Sequence, residues 1–310
     1  MLTRRGIVAG GTGLVVAGCA AAEQAPLLAV QPERESDYLE RFRWVADHVG
    51  GRLGVCAIDT GSGQRIGYRM GQRFAMASTF KWLLAAAVLW NHQADPTVLE
   101  SQRIVFRERD LLGHAPAARE AMESSTQSLG GERVAGMTLA KLCQAAVEVS
   151  DNTAANLLLG HIGGPGVLTV FLRASGDDVT RLDRFEPDLN ENAPGDERDT
   201  TTPEAMAQTM ARILATDEVL VKRSRDLLVG WLRASATGLN RLRGGLPAEW
   251  NAGDKTGTGG NGSHNDVAIA FPPGRAPIVI ASYISESTVP DGVKATAHTE
   301  VARIVAKEFG

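Results

Sequence analysis

The chain has 310 residues, of which 44% are hydrophobic and 22% charged, as is typical of a globular protein rather than a disordered or fibrous one. Its 32 basic and 36 acidic residues give a net charge of −4 without a long basic run, so nucleic acid is not expected as a partner. A chain of this length buries a core as one large domain or two smaller ones, without disulfides or a structural metal.

Residues 1–26 have the pattern of an export signal. Arg4 and Arg5 precede a weakly hydrophobic stretch and then small residues. The adjacent arginines favour a twin-arginine signal, which exports folded proteins. Cys19 follows Val-Ala-Gly, so a lipidated first residue and a chance cysteine near an ordinary cleavage site are both open. We expect a monomer that is periplasmic or secreted, with a possible lipid anchor at Cys19.

Hydrophobic periodicity predicts strands near both ends of the chain and helices between them. Helices are predicted over residues 33–49, 80–90, 138–149, 153–162, 167–174, 203–215 and 293–308, with another ending at 231. Strands are predicted over residues 53–60, 65–70, 250–256, 266–271 and 277–284, the first two as an exposed hairpin. The nearly unbroken apolar run from Phe80 to Trp90 is typical of a helix that is buried on every side.

This order of elements predicts an α/β fold. A mixed domain with a mainly antiparallel sheet is expected from residues 27–76 and 232–310, with an all-helical domain, residues 77–231, inserted between them and a cleft where the two meet. Residues 177–202 are rich in Asp, Glu, Asn and Pro and too long for an ordinary connector, so this loop is functional or disordered. Cys56 and Cys143 lie in apolar contexts, which favours buried free thiols over a disulfide.

The first motif that indicates chemistry is Ser78-Thr-Phe-Lys81, at the start of the buried helix. Side chains three residues apart share a helix face, so Lys81 is expected to reach the Ser78 hydroxyl. The helix N-terminus favours a developing oxyanion, and burial beside a second cation would lower the Lys81 pKa enough to make it a base. The pattern alone is weak, since it occurs by chance about once in a few hundred residues.

Two further motifs follow along the chain. Ser150-Asp151-Asn152 lies between two predicted helices, where it either faces a cleft or only caps the helix that follows. Lys255-Thr256-Gly257 ends a predicted strand and leads into Thr-Gly-Gly, where small residues would let a substrate lie against the strand edge. The alternative is a plain glycine-rich turn.

Together and in this order, the three motifs resemble those of the penicillin-recognising serine enzymes. The sequence Arg184-Phe-Glu186-Pro-Asp-Leu-Asn190 resembles the omega loop, here residues 181–199, of class A serine β-lactamases. The resemblance extends over nearly the whole mature chain. It implies a β-lactamase/transpeptidase-like fold and a hydrolase that opens the β-lactam amide, with β-lactam antibiotics as substrates, resistance as the result, and no cofactor or metal.

The resemblance also implies catalytic roles. Ser78 would be the nucleophile, and its proton would pass to Lys81 or, through a water, to Glu186; both routes are open. The backbone N–H groups of Ser78 and Thr258 would form the oxyanion hole. Ser150, with Lys255 beside it, would protonate the departing nitrogen, and Glu186 would activate the deacylating water.

Substrate-binding and structural roles complete the implied site. The substrate-binding set is Asn152, Asn190, Thr256, Gly257, Thr258, Arg241 and His114, with Arg243 competing with Arg241 as the second cation for the substrate carboxylate. Arg184 and Asp199 would pair at the neck of the omega loop, and a cis bond at Glu186-Pro187 would fix the direction of the glutamate.

Two departures leave the substrate spectrum open. His114 stands where the family often has an aromatic residue, and roughly ten extra residues follow Pro116, a change that loops tolerate. Among rival functions, a D,D-peptidase would share the three motifs but not Glu186, and a β-lactam sensor would stay acylated. A metal-dependent hydrolase is disfavoured because the six histidines show no ligand spacing.

Overall fold

The computed structural model describes residues 37–310, so the predicted export signal, with Arg4, Arg5 and Cys19, lies outside the described residues. Within this range the helices are α1 (Asp37–His48), α2 (Phe80–His92), α3 (Val98–Ser101), α4 (Pro116–Glu123), α5 (Leu139–Glu148), α6 (Asn152–Ile162), α7 (Pro165–Ala174), α8 (Pro203–Ala215), α9 (Lys222–Ala234) and α10 (Asp291–Phe309). The strands are β1 (Arg52–Asp59), β2 (Arg65–Tyr68), β3 (Phe74–Ala75), β4 (Arg103–Arg107), β5 (Ser128–Leu129), β6 (Glu132–Thr138), β7 (Thr200–Thr201), β8 (Gly253–Thr258), β9 (His264–Ala270) and β10 (Ile278–Ser285).

The main sheet has the strand order β2-β1-β10-β9-β8, and all of its neighbouring strands are antiparallel. This confirms the predicted sheet built from both ends of the chain. The expectation of an exposed hairpin is wrong, because β1 lies between β2 and β10 and is buried along most of its length. Successive β1 side chains alternate between two cores: Val55 packs with α1 and α10, whereas Cys56 packs with the helices on the opposite face.

Helix α2 is the centre of the helical part of the molecule. Every residue from Phe80 to Leu89 is buried, and most of them have no exposed surface. The prediction of a helix buried on every side is therefore confirmed. Three successive alanines, Ala85, Ala86 and Ala87, lie in the middle of this run, where small side chains leave room for neighbouring helices to approach. The helix holds its first turn, which contains Lys81, rigidly inside the protein.

The sequence predicts an all-helical segment between the two halves of the main sheet. This is wrong, because the segment also contains a small sheet of order β4-β6-β5. The region after Pro116, where roughly ten extra residues are expected, contains α4 and the β5–β6 hairpin, whose turn uses Gly130 and Gly131 at positive φ angles of 62° and 81°. Glycine adopts this conformation without strain, so a hairpin replaces the expected loop. Contacts join residues 37–310 into one compact unit, and the predicted division into two domains stays a prediction.

The polar loop over residues 177–202 is attached directly to the segment that precedes Ser78. Its end forms β7, which pairs with β3, and the Met76 amide donates to the Asp199 carbonyl at 2.9 Å. Between Asp177 and β7 the regular structure is limited to a single 3₁₀ turn, Asp188–Asn190. The loop is therefore fixed at its end to the strand that leads into the nucleophile motif.

Among residues 37–310, no single helix is long and apolar enough to cross a membrane. Helices α6 and α7 meet the length and hydropathy criterion only when taken together, and they are bent by 70° at the break between them. Both helices contribute fully buried leucines to the protein core, including Leu158 and Leu172.

The two described cysteines are buried free thiols, as predicted: Cys56 lies on β1 and Cys143 on α5. Burial raises the pKa of Cys56 to about 12 and also raises that of Cys143. A thiol that is both inaccessible and protonated reacts slowly with electrophiles.

We therefore expect a Cys19→Ala variant to show no reaction with a chromogenic thiol reagent at pH 8 in its native state. Two thiols per chain should react once the protein is unfolded in guanidinium. A Cys56→Ala variant in the same background is the control, and it should release one thiol on unfolding. Rapid labelling of the native protein, or no thiol after unfolding, would contradict the described burial or the absence of a disulfide.

Candidate active site

Ser78 lies in a 3₁₀ turn, Ala77–Thr79, that runs directly into α2. Ala77 has a positive φ of 43°, which L-residues rarely adopt and which is found where the surrounding structure enforces it. The β8 backbone packs closely against this turn: a Cβ on Gly257 would lie 2.6 Å from the Met76 carbonyl and 3.2 Å from the Ser78 amide. Glycine at position 257 is therefore required for β8 to approach the amide of Ser78.

The Lys81 ammonium has no exposed surface and is surrounded by oxygen atoms. Its Nζ donates to the Ser150 carbonyl at 2.8 Å and to Asn152 Oδ1 at 2.5 Å, and it forms an ion pair with Glu186 Oε1 at 3.0 Å. Burial lowers the pKa of Lys81, and the nearby Glu186 carboxylate opposes that shift. The shift is in the direction that a proton-accepting lysine requires.

The expected hydrogen bond between Lys81 and Ser78 does not form among the described residues. The two residues do lie at the same end of α2, as their spacing predicts. Lys81 Nζ instead contacts the Ser150 carbonyl, Asn152 Oδ1 and Glu186 Oε1. An ammonium interacts more strongly with a carboxylate than with a neutral hydroxyl, which explains this choice of partners.

Glu186 is buried, although it lies in a polar loop. Its Oε2 accepts from Asn190 Nδ2 at 2.5 Å, while Oε1 faces Lys81. The backbone is fixed by Asn156, whose side-chain oxygen accepts from the Glu186 amide at 2.9 Å and whose Nδ2 donates to its carbonyl at 2.8 Å. The Glu186-Pro187 peptide is cis.

Ser150 lies between two buried ammonium groups. Its backbone has a positive φ of 57°, and its Oγ accepts from Lys255 Nζ at 3.0 Å, with Lys81 Nζ at 3.5 Å. Lys255 has no exposed surface, and burial together with the charge of Lys81 lowers its pKa to about 7. The Ser150 hydroxyl is therefore placed to exchange a proton with either lysine.

Asp151 shows that both interpretations of the Ser150-Asp151-Asn152 motif hold. Its Oδ1 caps α6 by accepting from the Ala154 amide at 2.8 Å, and its Oδ2 accepts from the Ala118 amide of α4 at 2.9 Å. The neighbouring Ser150 and Asn152 face Lys81. The cap thus orients the site, and α4 contacts the capping residue directly.

His114 contacts the segment that contains Ser150 and Asn152. The Asn152 amide donates to the His114 carbonyl at 2.9 Å, which fixes the main chain here, while the imidazole is exposed with Nε2 3.0 Å from the Val149 carbonyl. On β8, Thr258 is exposed, whereas Thr256 is buried with its hydroxyl 2.7 Å from that of Thr237.

Arg241 reaches the Thr258 end of β8, whereas Arg243 contacts the first residues of that strand. The Arg241 guanidinium donates to Thr258 Oγ1 at 2.9 Å and to the carbonyls of Gly257 and Asn265 at 3.1 Å and 2.7 Å. Arg243 forms a buried ion pair with Asp254 at 2.5 Å. Of the two candidates for the second cation, the geometry favours Arg241.

The neck of the omega loop contains the ion pair that the resemblance implies. Arg184 Nε lies 2.6 Å from Asp199 Oδ2, and the Asp199 side chain is only 1% exposed. Asp199 Oδ1 also accepts from the backbone amides of Asp183 and Arg184 at 2.7 Å and 3.0 Å. One carboxylate therefore joins the start of the loop to its end.

Sequence reasoning missed two asparagines that support the site. Asn156, which clamps the Glu186 backbone, follows Asn152 by four residues on α6, and this helical spacing is a signal that could have found it. Asn265 on β9 donates to the carbonyls of Ala75 and Met76 at 2.9 Å and 3.1 Å, just before the nucleophile turn. No local pattern marks Asn265, because its contacts are almost two hundred residues away along the chain.

Comparison with known proteins gives one consistent result. Residues 38–309 match the model of the Beta-lactamase enzyme family. The chain is 44% identical over 270 residues to β-lactamase AST-1 of Nocardia asteroides, covering 87% of this chain and 83% of that protein. It is 42% identical to β-lactamase CTX-M-8 of Citrobacter amalonaticus, covering 84% of each. A solved ancestral (GNCA) class A β-lactamase is 49% identical with a TM-score of 0.81, covering 88% of this chain and 100% of that one.

Removal of the arginine at the loop neck should be costly. We expect Arg184→Ser to lower the free energy of unfolding by about 3 kcal/mol or more, because Asp199 would keep a buried charge without its ionic partner. Arg198→Ser is the matched control: Arg198 pairs with Asp196 at 2.6 Å but is 50% exposed, so its loss should cost about 0–1 kcal/mol. Urea unfolding measures both, and equal losses would contradict a special role for the neck pair.

Proposed function

The chain belongs to the class A serine β-lactamases, and on this basis we propose that it hydrolyses β-lactams through an acyl-enzyme on Ser78, which a water activated by Glu186 releases. The observation that supports this most directly is the buried ion pair, at 3.0 Å, between Lys81 in the first turn of α2 and Glu186 on the omega loop. A D,D-peptidase or a β-lactam sensor does not require a second buried base at this position.

In the proposed acylation step, Ser78 Oγ attacks the lactam carbonyl and its proton leaves to a base. Lys81 is one candidate, and Glu186 acting through a water is the other. The negative charge on the carbonyl oxygen is stabilised by the backbone N–H groups of Ser78 and Thr258 at the N-terminus of α2 and the end of β8. Close packing of Gly257 against the Ser78 amide supports this pairing.

Collapse of the tetrahedral intermediate breaks the bond between the carbonyl carbon and the lactam nitrogen. The nitrogen takes a proton from the Ser150 hydroxyl, which recovers one from a neighbouring ammonium. Hydrogen bonding from Lys255 to Ser150 at 3.0 Å supports this route. Since Lys81 Nζ is also 3.5 Å from Ser150 Oγ, the proton that leaves Ser78 returns to the substrate by a short path.

Deacylation is proposed to begin with a water held between Glu186 and Asn190. Glu186 takes a proton from that water as the water oxygen attacks the ester carbonyl. The bond between the acyl carbon and Ser78 Oγ then breaks, and Oγ recovers a proton from Glu186 or Lys81. The short bond from Asn190 to Glu186 Oε2 and the two hydrogen bonds from Asn156 keep the carboxylate in one orientation. A fixed base of this kind requires little reorganisation during the reaction.

Substrate orientation is proposed to depend on the two sides of the cleft. The substrate carboxylate would bind at Lys255, Thr256 and Thr258, with Arg241 behind Thr258 as the second cation. Asn152 would bind the acylamino side chain opposite, with His114 at the rim. For cellular location we propose export through the Arg4-Arg5 signal to the periplasm or medium.

The role of Glu186 is tested by separating acylation from deacylation. Glu186→Ala should keep Ser78 and its oxyanion donors but lose the positioned base, which typically costs a factor of about 10²–10⁴. A covalent penicilloyl adduct should therefore persist long enough for detection by intact-mass spectrometry.

Two variants control this experiment. Ser78→Ala should form no adduct at all, and Asp188→Ala, which removes an exposed carboxylate from the same loop, should turn over penicillin like the parent. If Glu186→Ala hydrolyses penicillin at the parent rate without a visible adduct, the proposed deacylation mechanism is wrong.

Lys255 should set the alkaline side of the pH profile. Its pKa of about 7 means that the ammonium that meets the substrate carboxylate loses its proton as the pH rises through that value, so kcat/KM should fall there. Arginine stays charged at all accessible pH values. Lys255→Arg should therefore lower kcat/KM near neutrality but move the fall to higher pH, and an unchanged alkaline limb would exclude Lys255 as its source.

A further inference from the structure

Two histidines far from the active site face one another at the ends of α2 and α6. His92 is the last residue of α2, and His161 lies in the last turn of α6. Their Nε2 atoms are 3.3 Å apart, and the ring planes are inclined by 26° with centroids 5.6 Å apart. Both residues are half-buried, so each ring is held by its surroundings but keeps contact with solvent.

The backbone below both rings is fixed by the fold. Helix α2 is buried from Phe80 to Leu89, and its end cannot shift without disturbing the core. Helix α6 ends at Gly163, which has a positive φ of 104°, and the Gly164 amide closes the helix by donating to the Leu159 carbonyl at 2.7 Å. The two imidazoles are therefore brought together by the packing of two rigid helices.

We propose that His92 and His161 form a two-imidazole binding site for a divalent transition cation such as Zn²⁺, Ni²⁺ or Cu²⁺, with water as the remaining ligands. Metal–nitrogen bonds of about 2.0–2.1 Å at a tetrahedral angle place two ligand nitrogens roughly 3.3 Å apart, which is the observed separation. The two Nε2 atoms point towards each other, as in an N–H···N hydrogen bond, so both rings must turn about their side-chain bonds before the two lone pairs meet at one cation.

The local electrostatics favour a cation at this place. Both rings lie at helix C-terminal ends, where the unpaired carbonyl groups and the helix dipole attract positive charge. Cations of this group prefer imidazole ligands over the carboxylate and water ligands that suit magnesium or calcium.

The other four histidines do not offer an equivalent site. His264 and His298 also face each other at 3.2 Å, but they are 2% and 0% exposed, so a metal ion and its waters have no access. His48 and His114 each contact a backbone carbonyl instead of another ligand residue. Sequence spacing did not reveal the His92–His161 pair because 69 residues separate its members.

A bound cation would connect the ends of α2 and α6 that are remote from the catalytic groups. The opposite end of α2 contains Lys81, and α6 begins with Asn152, so the cross-link would fix the two helices that position these residues. A ligand that binds only the folded state raises its stability. We therefore expect the cation to stabilise the protein without taking part in β-lactam hydrolysis.

The test uses the protein without an affinity tag, with Zn²⁺ and Ni²⁺ as probes in separate titrations. Calorimetry should show one cation bound per chain, and the melting temperature should rise with cation concentration until the site is saturated. His92→Ala and His161→Ala should each weaken binding by about tenfold or more and move the rise in melting temperature to a correspondingly higher cation concentration. His48→Ala should bind like the parent, and circular dichroism checks that each variant is folded.

Two outcomes would overturn the proposal. The first is the absence of saturable binding to the parent protein. The second is equal binding by the parent, His92→Ala and His161→Ala, which would assign the cation to another location. Since binding is measured without a β-lactam, neither outcome depends on the proposed hydrolytic mechanism.

Discussion

The buried ion pair between Lys81 and Glu186 is the interaction on which the rest of the site depends. Removing both charges from water costs several kcal/mol per ion, and mutual attraction at 3.0 Å offsets that cost only if the remaining polar atoms are also satisfied. The structure provides this through Asn152 and the Ser150 carbonyl around the ammonium, and through Asn190 at the carboxylate. A carboxylate that can accept a proton and a lysine whose pKa is lowered by burial are thereby held in fixed positions near the nucleophile.

The two residues of this ion pair belong to different parts of the fold, and each part is fixed separately. Lys81 belongs to α2, which is buried on every side and cannot move, whereas Glu186 belongs to an irregular loop. The loop is fixed at three places: the β3–β7 pairing, the Arg184–Asp199 ion pair, and the Asn156 clamp. A carboxylate on a long loop is therefore held as firmly as a side chain on a helix. This is required of a base that must meet one water molecule in one orientation.

The sequence was sufficient for features that depend on local periodicity or on short motifs. It predicted the antiparallel sheet, the central helix and the bounds of α8 at residues 203–215. It failed where contacts join distant segments. The β4-β6-β5 sheet, the Asn265 bonds and the His92–His161 contact each depend on tertiary packing that no window of sequence contains. The partners of Lys81 were missed for the same reason, since Ser150 and Glu186 compete with the nearby Ser78 only in the folded chain.

The most direct test of this account is a double-mutant cycle on the ion pair, measured by the free energy of unfolding of the parent, Lys81→Met, Glu186→Gln and the double variant. If the two charges act as one buried unit, each single variant leaves its partner uncompensated, and the double variant relieves that cost. The account predicts a double variant that is more stable than the sum of the two single losses, by about 0.5–3 kcal/mol. Additive losses, within about 0.5 kcal/mol, would show that the charges are independent and would contradict the claim that this pair organises the site.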